Sequence, residues 1–126
     1  MKNISIPSGV TSIASNAFQD CSSLTNISIP SGVTSIGKSS FINCSSLTNI
    51  TIPSEVTSIY ADAFKNCNCI VYLKFESETP PTLSNEAFYG VPTYCKIYVP
   101  KGYLSAYTSA QYYPSSSTYT YIEYDP

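Results

Sequence analysis

The stretch NISIPSGVTSIASNAFQDCSSLT, residues 3–25, decides the fold of this chain because it recurs twice with few changes. The copies are NISIPSGVTSIGKSSFINCSSLT (residues 26–48) and NITIPSEVTSIYADAFKNCNCIV (residues 49–71), so the three begin at equal spacing, at Asn3, Asn26 and Asn49. A fixed period in the twenties is typical of solenoids, in which each repeat forms one coil whose apolar face is buried only by its neighbours. The sequence therefore predicts a repeat solenoid.

Apolar residues occupy equivalent positions in every repeat, in the pattern L-x-x-I-x-I-P-x-x-V-x-x-I followed by Phe and then x-x-Cys-x-x-Leu. The I-x-I step has the period of two that a short strand with one buried face requires. We predict one strand per coil, stacked into a parallel sheet and ended by the proline that follows, since Pro cannot donate to the ladder. One phenylalanine is predicted to fill the interior of each coil, namely Phe18, Phe41 or Phe64.

A degenerate fourth repeat is predicted over residues 72–95, where Leu73 and Phe75 replace the two isoleucines. The spacing from Phe64 to Phe88 exceeds the repeat period by one position, which predicts a single inserted residue near Thr79-Pro80-Pro81. Residues 1–95 are therefore interpreted as the solenoid.

Residues 96–126 are interpreted as a C-terminal capping segment. A further strand is predicted from Lys96, a short amphipathic helix from Tyr103 to Ala110, and an edge strand from Tyr119 to Tyr124. Of the 12 tyrosines only Tyr60 precedes residue 72, and this shift in composition is expected where the last coil must cover an open core.

Three of the five cysteines share one repeat position, since Cys21, Cys44 and Cys67 follow each other at the interval of the repeat. They are predicted to form a structural ladder of small, buried thiols rather than a disulfide framework. Cys69 and Cys95 fall outside this ladder. A disulfide between them and two free thiols both remain open, because sequence alone does not define their geometry.

Composition argues against several classes of function. The chain has no histidine, which removes Ser-His and Cys-His nucleophiles and His-ligated zinc, so neither an enzyme nor a bound metal or other cofactor is predicted. A net charge of −2 from six Lys and eight acidic residues predicts no nucleic-acid partner. No apolar run approaches the roughly 20 residues that span a bilayer, and no secretory signal begins the given sequence.

Binding is predicted on the outward face of the stacked strands, where every second residue faces away from the core. Small polar residues fill the outward positions of the first three coils, and Lys and Tyr replace them towards the C-terminus. Tyrosine combines a large contact area with a polar tip and is enriched at interfaces. The predicted binding residues are Tyr72, Lys74, Lys96 and Tyr98, with Asn49 and Thr51 beside them. In the alternative interpretation, the small polar residues only keep the surface of the sheet hydrated, and the tyrosines pack within the capping segment.

The repeat pattern resembles the BspA-type (Treponema-type) leucine-rich repeats, whose hallmark is I-x-I-P-x-x-V-x-x-I…A-F-x-x-C-x-x-L. All three full repeats match it almost throughout. The resemblance implies a solenoid with its parallel β-sheet on the concave side and short 3₁₀ or α turns on the convex side. It also implies a bacterial, extracellular or cell-surface setting and relatives that act as adhesins.

The function predicted from pattern and resemblance together is a non-enzymatic, adhesin-like protein-binding module of a bacterial surface or secreted protein. Two alternatives are a spacer or cap fragment of a longer solenoid and a carbohydrate-binding surface built on the C-terminal tyrosines. The first coil has no predicted cap, so Ile4 and Ile6 would lie on an uncovered end. Self-association through this coil, or further repeats upstream, is predicted there.

Overall fold

The computed structural model describes residues 3–126 of the chain and is a parallel β-solenoid of about five turns. Ten short strands and one helix follow each other along the described residues. Their bounds are β1 Asn3–Ser5, β2 Ser12–Ile13, β3 Asn26–Ser28, β4 Ser35–Ile36, β5 Asn49–Ile52, β6 Ser58–Ile59, β7 Tyr72–Phe75, β8 Thr82–Leu83, β9 Lys96–Pro100, α1 Leu104–Thr108 and β10 Thr120–Tyr124. The predicted strands and the predicted C-terminal helix are thereby confirmed.

The strands stack into two sheets that run along the solenoid. The first sheet comprises a two-stranded part, β1–β3, and a four-stranded part in the order β5–β7–β9–β10, and every strand pair in it is parallel. Between the two parts, the Thr48 N–H donates to the Thr25 carbonyl at 3.2 Å. The second sheet has the parallel order β2–β4–β6–β8. The prediction of one strand per coil is therefore wrong, because these coils contain two, the second being only two residues long.

Strand register locates the inserted residue of the fourth coil. Ile52 pairs with Phe75, which lies one repeat period further along the chain, whereas Ser58 pairs with Thr82, which lies one position beyond that period. The extra residue therefore lies between Phe75 and Thr82, which confirms the prediction of an insertion near Thr79. This segment loops out between two paired strands and leaves both registers intact.

A column of phenylalanines forms the centre of the core. Phe41 and Phe64 are completely buried, and their rings stack at 5.0 Å with an interplanar angle of 2°. Phe18 and Phe88 extend the column at 5.1 and 5.2 Å. One equivalent side chain per coil, in register at the coil spacing, therefore fills the interior.

The segments that carry these phenylalanines are turns rather than helices, and hydrogen bonds join the turns of neighbouring coils. In each of the first four coils two residues have a left-handed backbone, which interrupts any helix and favours Asn, Asp or Gly. These residues are Asn16, Asp20, Ser39, Asn43, Asp62, Asn66, Glu86 and Gly90. Neighbouring turns are joined by backbone hydrogen bonds, for example from the Phe41 N–H to the Ala63 carbonyl at 2.8 Å.

Tyrosine side chains tie the C-terminal segment to the last coils. Tyr107 is completely buried and its hydroxyl donates to the Ser77 carbonyl at 2.6 Å. The Tyr113 hydroxyl donates to the Pro81 carbonyl at 2.7 Å, and both rings pack on Phe75. This packing agrees with the predicted capping role, although the division into residues 1–95 and 96–126 stays a prediction.

Ser40→Ala is expected to stabilise the fold. Ser40 is completely buried, and its Oγ has no hydrogen-bond partner among the described residues. The same column holds Ala63 and Ala87 in the following coils, both fully buried. Removing an unsatisfied hydroxyl should raise the free energy of unfolding by about 1 kcal/mol, measured by urea denaturation. Ser28→Ala, on the exposed face of β3, serves as a control expected to change stability little. A Ser40→Ala protein no more stable than the native chain would contradict the prediction.

Candidate binding face of the first sheet

The predicted binding residues lie on one face of the first sheet. Register pairs Asn49 with Tyr72 and Tyr72 with Lys96, which makes one column. A second column joins Thr51, Lys74 and Tyr98 in the same way. None of these six side chains is buried, whereas the residues that alternate with them, such as Leu73 and Ile97, are completely buried. The pleat therefore places all six on one exposed surface.

Aromatic contacts organise the C-terminal part of this face. The rings of Tyr72 and Tyr98, diagonal neighbours on β7 and β9, lie 4.7 Å apart at an interplanar angle of 33°. Lys74 places its Nζ 4.5 Å from the centre of the Tyr124 ring, a cation–π contact. The Tyr124 hydroxyl donates to the Phe75 carbonyl at 2.8 Å, which holds that ring in place. Three tyrosines and a lysine thus form one cluster on the open sheet.

Strand β10 adds residues to the face that the sequence interpretation did not include. It pairs in parallel with β9, aligning Thr120 with Lys96 and Ile122 with Tyr98. The two columns therefore continue into Thr120 and Ile122, and Tyr124 follows one step further along the same strand. The interval from Lys96 to Thr120 equals the interval from Tyr72 to Lys96, and this equality is the signal in the sequence that identifies the extension.

Asn49 and Thr51 belong to a polar, shallow cleft next to the aromatic cluster. The cleft has a volume of about 530 Å³ and is lined in part by Asn26, Asn49, Thr51 and Glu76. The Asn49 Nδ2 donates to the Asn26 Oδ1 at 3.0 Å and to the Thr48 Oγ1 at 3.2 Å. These amides hydrogen-bond along the ladder, as expected for residues that stabilise the stack as well as solvate it.

The cysteine ladder lies in the core, away from this face. Cys44 and Cys67 are completely buried, and their thiols contact the Phe18 and Phe41 carbonyls at 3.2 and 3.1 Å. Burial raises the pKa of Cys44 to about 11 and that of Cys67 to about 12. Because the thiolate is the reactive form, both are structural thiols. Cys21, in the first coil, is only partly buried.

Cys69 and Cys95, for which the sequence allows either a disulfide or two free thiols, are free thiols in the structure. Cys69 is exposed and Cys95 is buried, and neither forms a disulfide. Burial raises the pKa of Cys95 to about 11.

Among residues 3–126, no group of three or more His, Cys, Asp or Glu side chains is arranged to hold a metal ion. No helix within the same residues is both long and apolar enough to span a bilayer.

Comparison with known proteins places the repeat in a defined class. A family model described as "BspA type Leucine rich repeat region" matches residues 1–119 in six copies. A crystal structure of a leucine-rich repeat protein from Bacteroides ovatus ATCC 8483 superposes with a TM-score of 0.72 at 24% sequence identity, over 98% of this chain. The match covers 30% of that protein, so this chain spans less than a third of its length. No curated protein matches the sequence.

Proposed function

Since the chain belongs to the BspA-type leucine-rich repeat family, we propose that it is a non-enzymatic, adhesin-like binding module of a bacterial surface or secreted protein. Repeats of this type are protein-interaction repeats, are typically found on bacterial surface proteins and are generally non-enzymatic. The observation that carries the proposal is the cluster of Tyr72, Tyr98, Tyr124 and Lys74 on the open face of the first sheet. A protein partner docks there.

The chemistry of the cluster suits a protein surface. Tyr72 and Tyr98 are partly buried, and each ring is held by its contact with the other at 4.7 Å. Pre-ordered tyrosines lose little conformational entropy on binding and are enriched among the residues that dominate interface energies. Lys96 is exposed and makes no ion pair with the described residues, so it favours a partner that presents a carboxylate.

A carbohydrate ligand is less well supported by the same geometry. Sugar rings are recognised by stacking on an open aromatic face. Tyr72 and Tyr98 face each other at 4.7 Å, so each covers one face of the other, and Lys74 covers the ring of Tyr124. A spacer without a ligand is supported by the hydrogen-bonded Asn ladder of the first coils, but that ladder does not account for the aromatic cluster.

The double substitution Tyr72→Ser and Tyr98→Ser is expected to weaken partner binding at least tenfold, because it removes the two central anchors of the face. Solubilised surface proteins of host cells are pulled down with the native chain and the variants, and the recovered partner is titrated by surface plasmon resonance. Tyr60→Ser is the matched control, since Tyr60 is 48% exposed but lies outside the face. Equal binding by the native chain and the double variant would contradict the proposal, and a signal confined to a glycan array would favour the carbohydrate alternative.

Self-association through the first coil belongs to the same proposal. Ile4, Ile6 and Phe18 are only partly buried, although the equivalent Ile27, Ile29 and Phe41 of the next coil are buried. Strand β1 pairs on one side only, with β3, so its other edge is unpaired among the described residues. An apolar end with a strand edge is a template for a second chain.

The native chain is therefore expected to form dimers at higher concentration, measured by sedimentation velocity, and Ile4→Asn with Ile6→Asn should shift it to monomer. Ser5→Asn, an outward-facing change on the same strand, is the matched control. A native chain that stays monomeric across the accessible concentration range would contradict self-association.

A further inference from the structure

A second concave site lies where the turn segment of the fourth coil meets the cap. This tyrosine–proline cleft has a volume of about 530 Å³, and its walls include Tyr89, Pro92, Tyr112 and Pro114. Phe88, Val91 and Tyr119 also line it. It shares no residue with the binding face of the first sheet.

The two tyrosines on the walls are the most open aromatic groups of the cleft. Tyr89 is 60% exposed and Tyr112 is 48% exposed, and neither hydroxyl has a hydrogen-bond partner among the described residues. Lys65 lies over the Tyr89 ring at 5.5 Å and pairs with Glu86 at 2.8 Å. Glu86, the one acidic side chain among the described lining residues, is thereby neutralised. These walls offer apolar rings and hydroxyl donors, with no unpaired charge.

Most backbone carbonyls of the cleft already accept one hydrogen bond. The Tyr119 hydroxyl donates to the Val91 carbonyl, and the Tyr121 hydroxyl donates to the Pro114 carbonyl. Backbone N–H groups occupy four more carbonyls of the lining residues, those of Glu86, Phe88, Tyr89 and Pro92. A donor-rich ligand such as an oligosaccharide would therefore meet carbonyls that have only one lone pair left to offer, whereas a ligand with few donors loses nothing there.

We propose that this cleft binds an extended, proline-rich segment of a partner protein. Proline lacks an N–H, so a polyproline II segment brings apolar rings and carbonyl acceptors but few donors. Its rings fit against Tyr112, the wall prolines and the part of Tyr89 that Lys65 leaves exposed, and its carbonyls accept hydrogen bonds from the free tyrosine hydroxyls, as in other aromatic grooves for such segments. The site is independent of the binding face proposed above.

The proposal is tested with a fluorescein-labelled decaproline peptide titrated against the full chain by fluorescence anisotropy. Tyr89→Ala and Tyr112→Gly are each expected to weaken binding about tenfold. Glycine is chosen at position 112 because Tyr112 has a left-handed backbone, φ 70°, that glycine adopts without strain. Tyr60→Ala is the matched control, at the same 48% exposure as Tyr112 but outside the cleft. Thermal melting of each variant verifies that it is folded.

Two further controls separate this site from the alternatives. A labelled Gly-Ser peptide of equal length should not bind, and the Tyr72→Ser and Tyr98→Ser variant should bind decaproline normally. Failure of decaproline to bind, equal loss in Tyr60→Ala, or binding retained in both cleft variants would overturn the proposal. So would saturable binding of cellohexaose that Tyr89→Ala abolishes while decaproline gives no signal. Loss of binding in the first-sheet variant instead would overturn it by placing the peptide on that face.

Discussion

Phe64→Ala is expected to lower the free energy of unfolding by about 3–5 kcal/mol, which is the range for truncating a buried phenylalanine. Phe64 is completely buried and stacks on both sides, at 5.0 Å with Phe41 and at 5.2 Å with Phe88. The neighbouring coils are bonded to each other through strands and turns, so the core cannot collapse to fill the space. Guanidinium denaturation monitored by circular dichroism measures the change.

Phe18→Ala is the matched control for this prediction. Phe18 belongs to the same column but is only partly buried and stacks on one side, at 5.1 Å with Phe41. Its truncation should therefore destabilise clearly less than that of Phe64. Equal losses for the two variants would show that stacking between coils does not govern stability, and a loss below about 1 kcal/mol for Phe64→Ala would contradict the role of the column as core.

Alkaline pH is expected to unfold the protein cooperatively. Burial raises the pKa values of the Cys44, Cys67 and Cys95 thiols above the ordinary 9.0, to about 11, 12 and 11. Burial also raises the pKa values of the hydroxyls of Tyr107, Tyr113 and Tyr121 above the ordinary 10.0. Each group thus keeps its proton in the folded chain at a pH where the unfolded chain has lost it.

The direction of the effect follows from proton linkage. Below pH 9 both states hold these protons, so stability does not change on their account. Above pH 9 for the thiols and pH 10 for the tyrosines, the unfolded state binds fewer protons, and stability falls by up to about 1.4 kcal/mol per pH unit for each group. For six such groups together, the loss of stability exceeds a typical free energy of unfolding, about 5–15 kcal/mol, within one to two pH units above pH 10.

Urea denaturation at intervals from pH 7 to pH 11 measures this dependence. Tyr107→Phe keeps the buried ring but removes one titrating hydroxyl and its hydrogen bond to the Ser77 carbonyl. This variant should be less stable than the native chain at pH 7 by about 1 kcal/mol. Above pH 10, however, its free energy of unfolding should fall less steeply with pH, because about one proton fewer is lost on unfolding. Unchanged stability of the native chain through pH 10.5 would contradict the prediction.

Those parts of the fold that repeat could be predicted from the residues alone. The recurrence of their counterparts at the same interval predicts that Ile27, Phe41 and Cys44 lie in the core, and all three are buried. The BspA-type resemblance is confirmed by the family match over residues 1–119. The second sheet cannot be predicted in this way, because a two-residue strand such as Ser35–Ile36 is too short to show an alternating pattern.

The candidate site depended more on contacts between distant segments. The outward columns could be predicted as far as Tyr98, since strands one period apart stack in register. The role of Tyr124 could not, because its contact with Lys74 joins β10 to β7 across the intervening strand β9, and a helix rather than another repeat turn precedes β10. The same holds for the tyrosine–proline cleft, which joins residues near Tyr89 to residues near Tyr112.

The repeat that opens the chain, with its constant period, determined by itself the solenoid, the core columns and the orientation of the outward residues. It could do so because each coil packs on a near-copy of itself, so that local pattern and tertiary contact coincide. Only the tertiary structure decided the features outside the repeats: the free state of Cys69 and Cys95, the pairing of the predicted edge strand with β9, and the tyrosine contacts of the cap. Those features rest on pairings between unlike segments, which no repetition encodes.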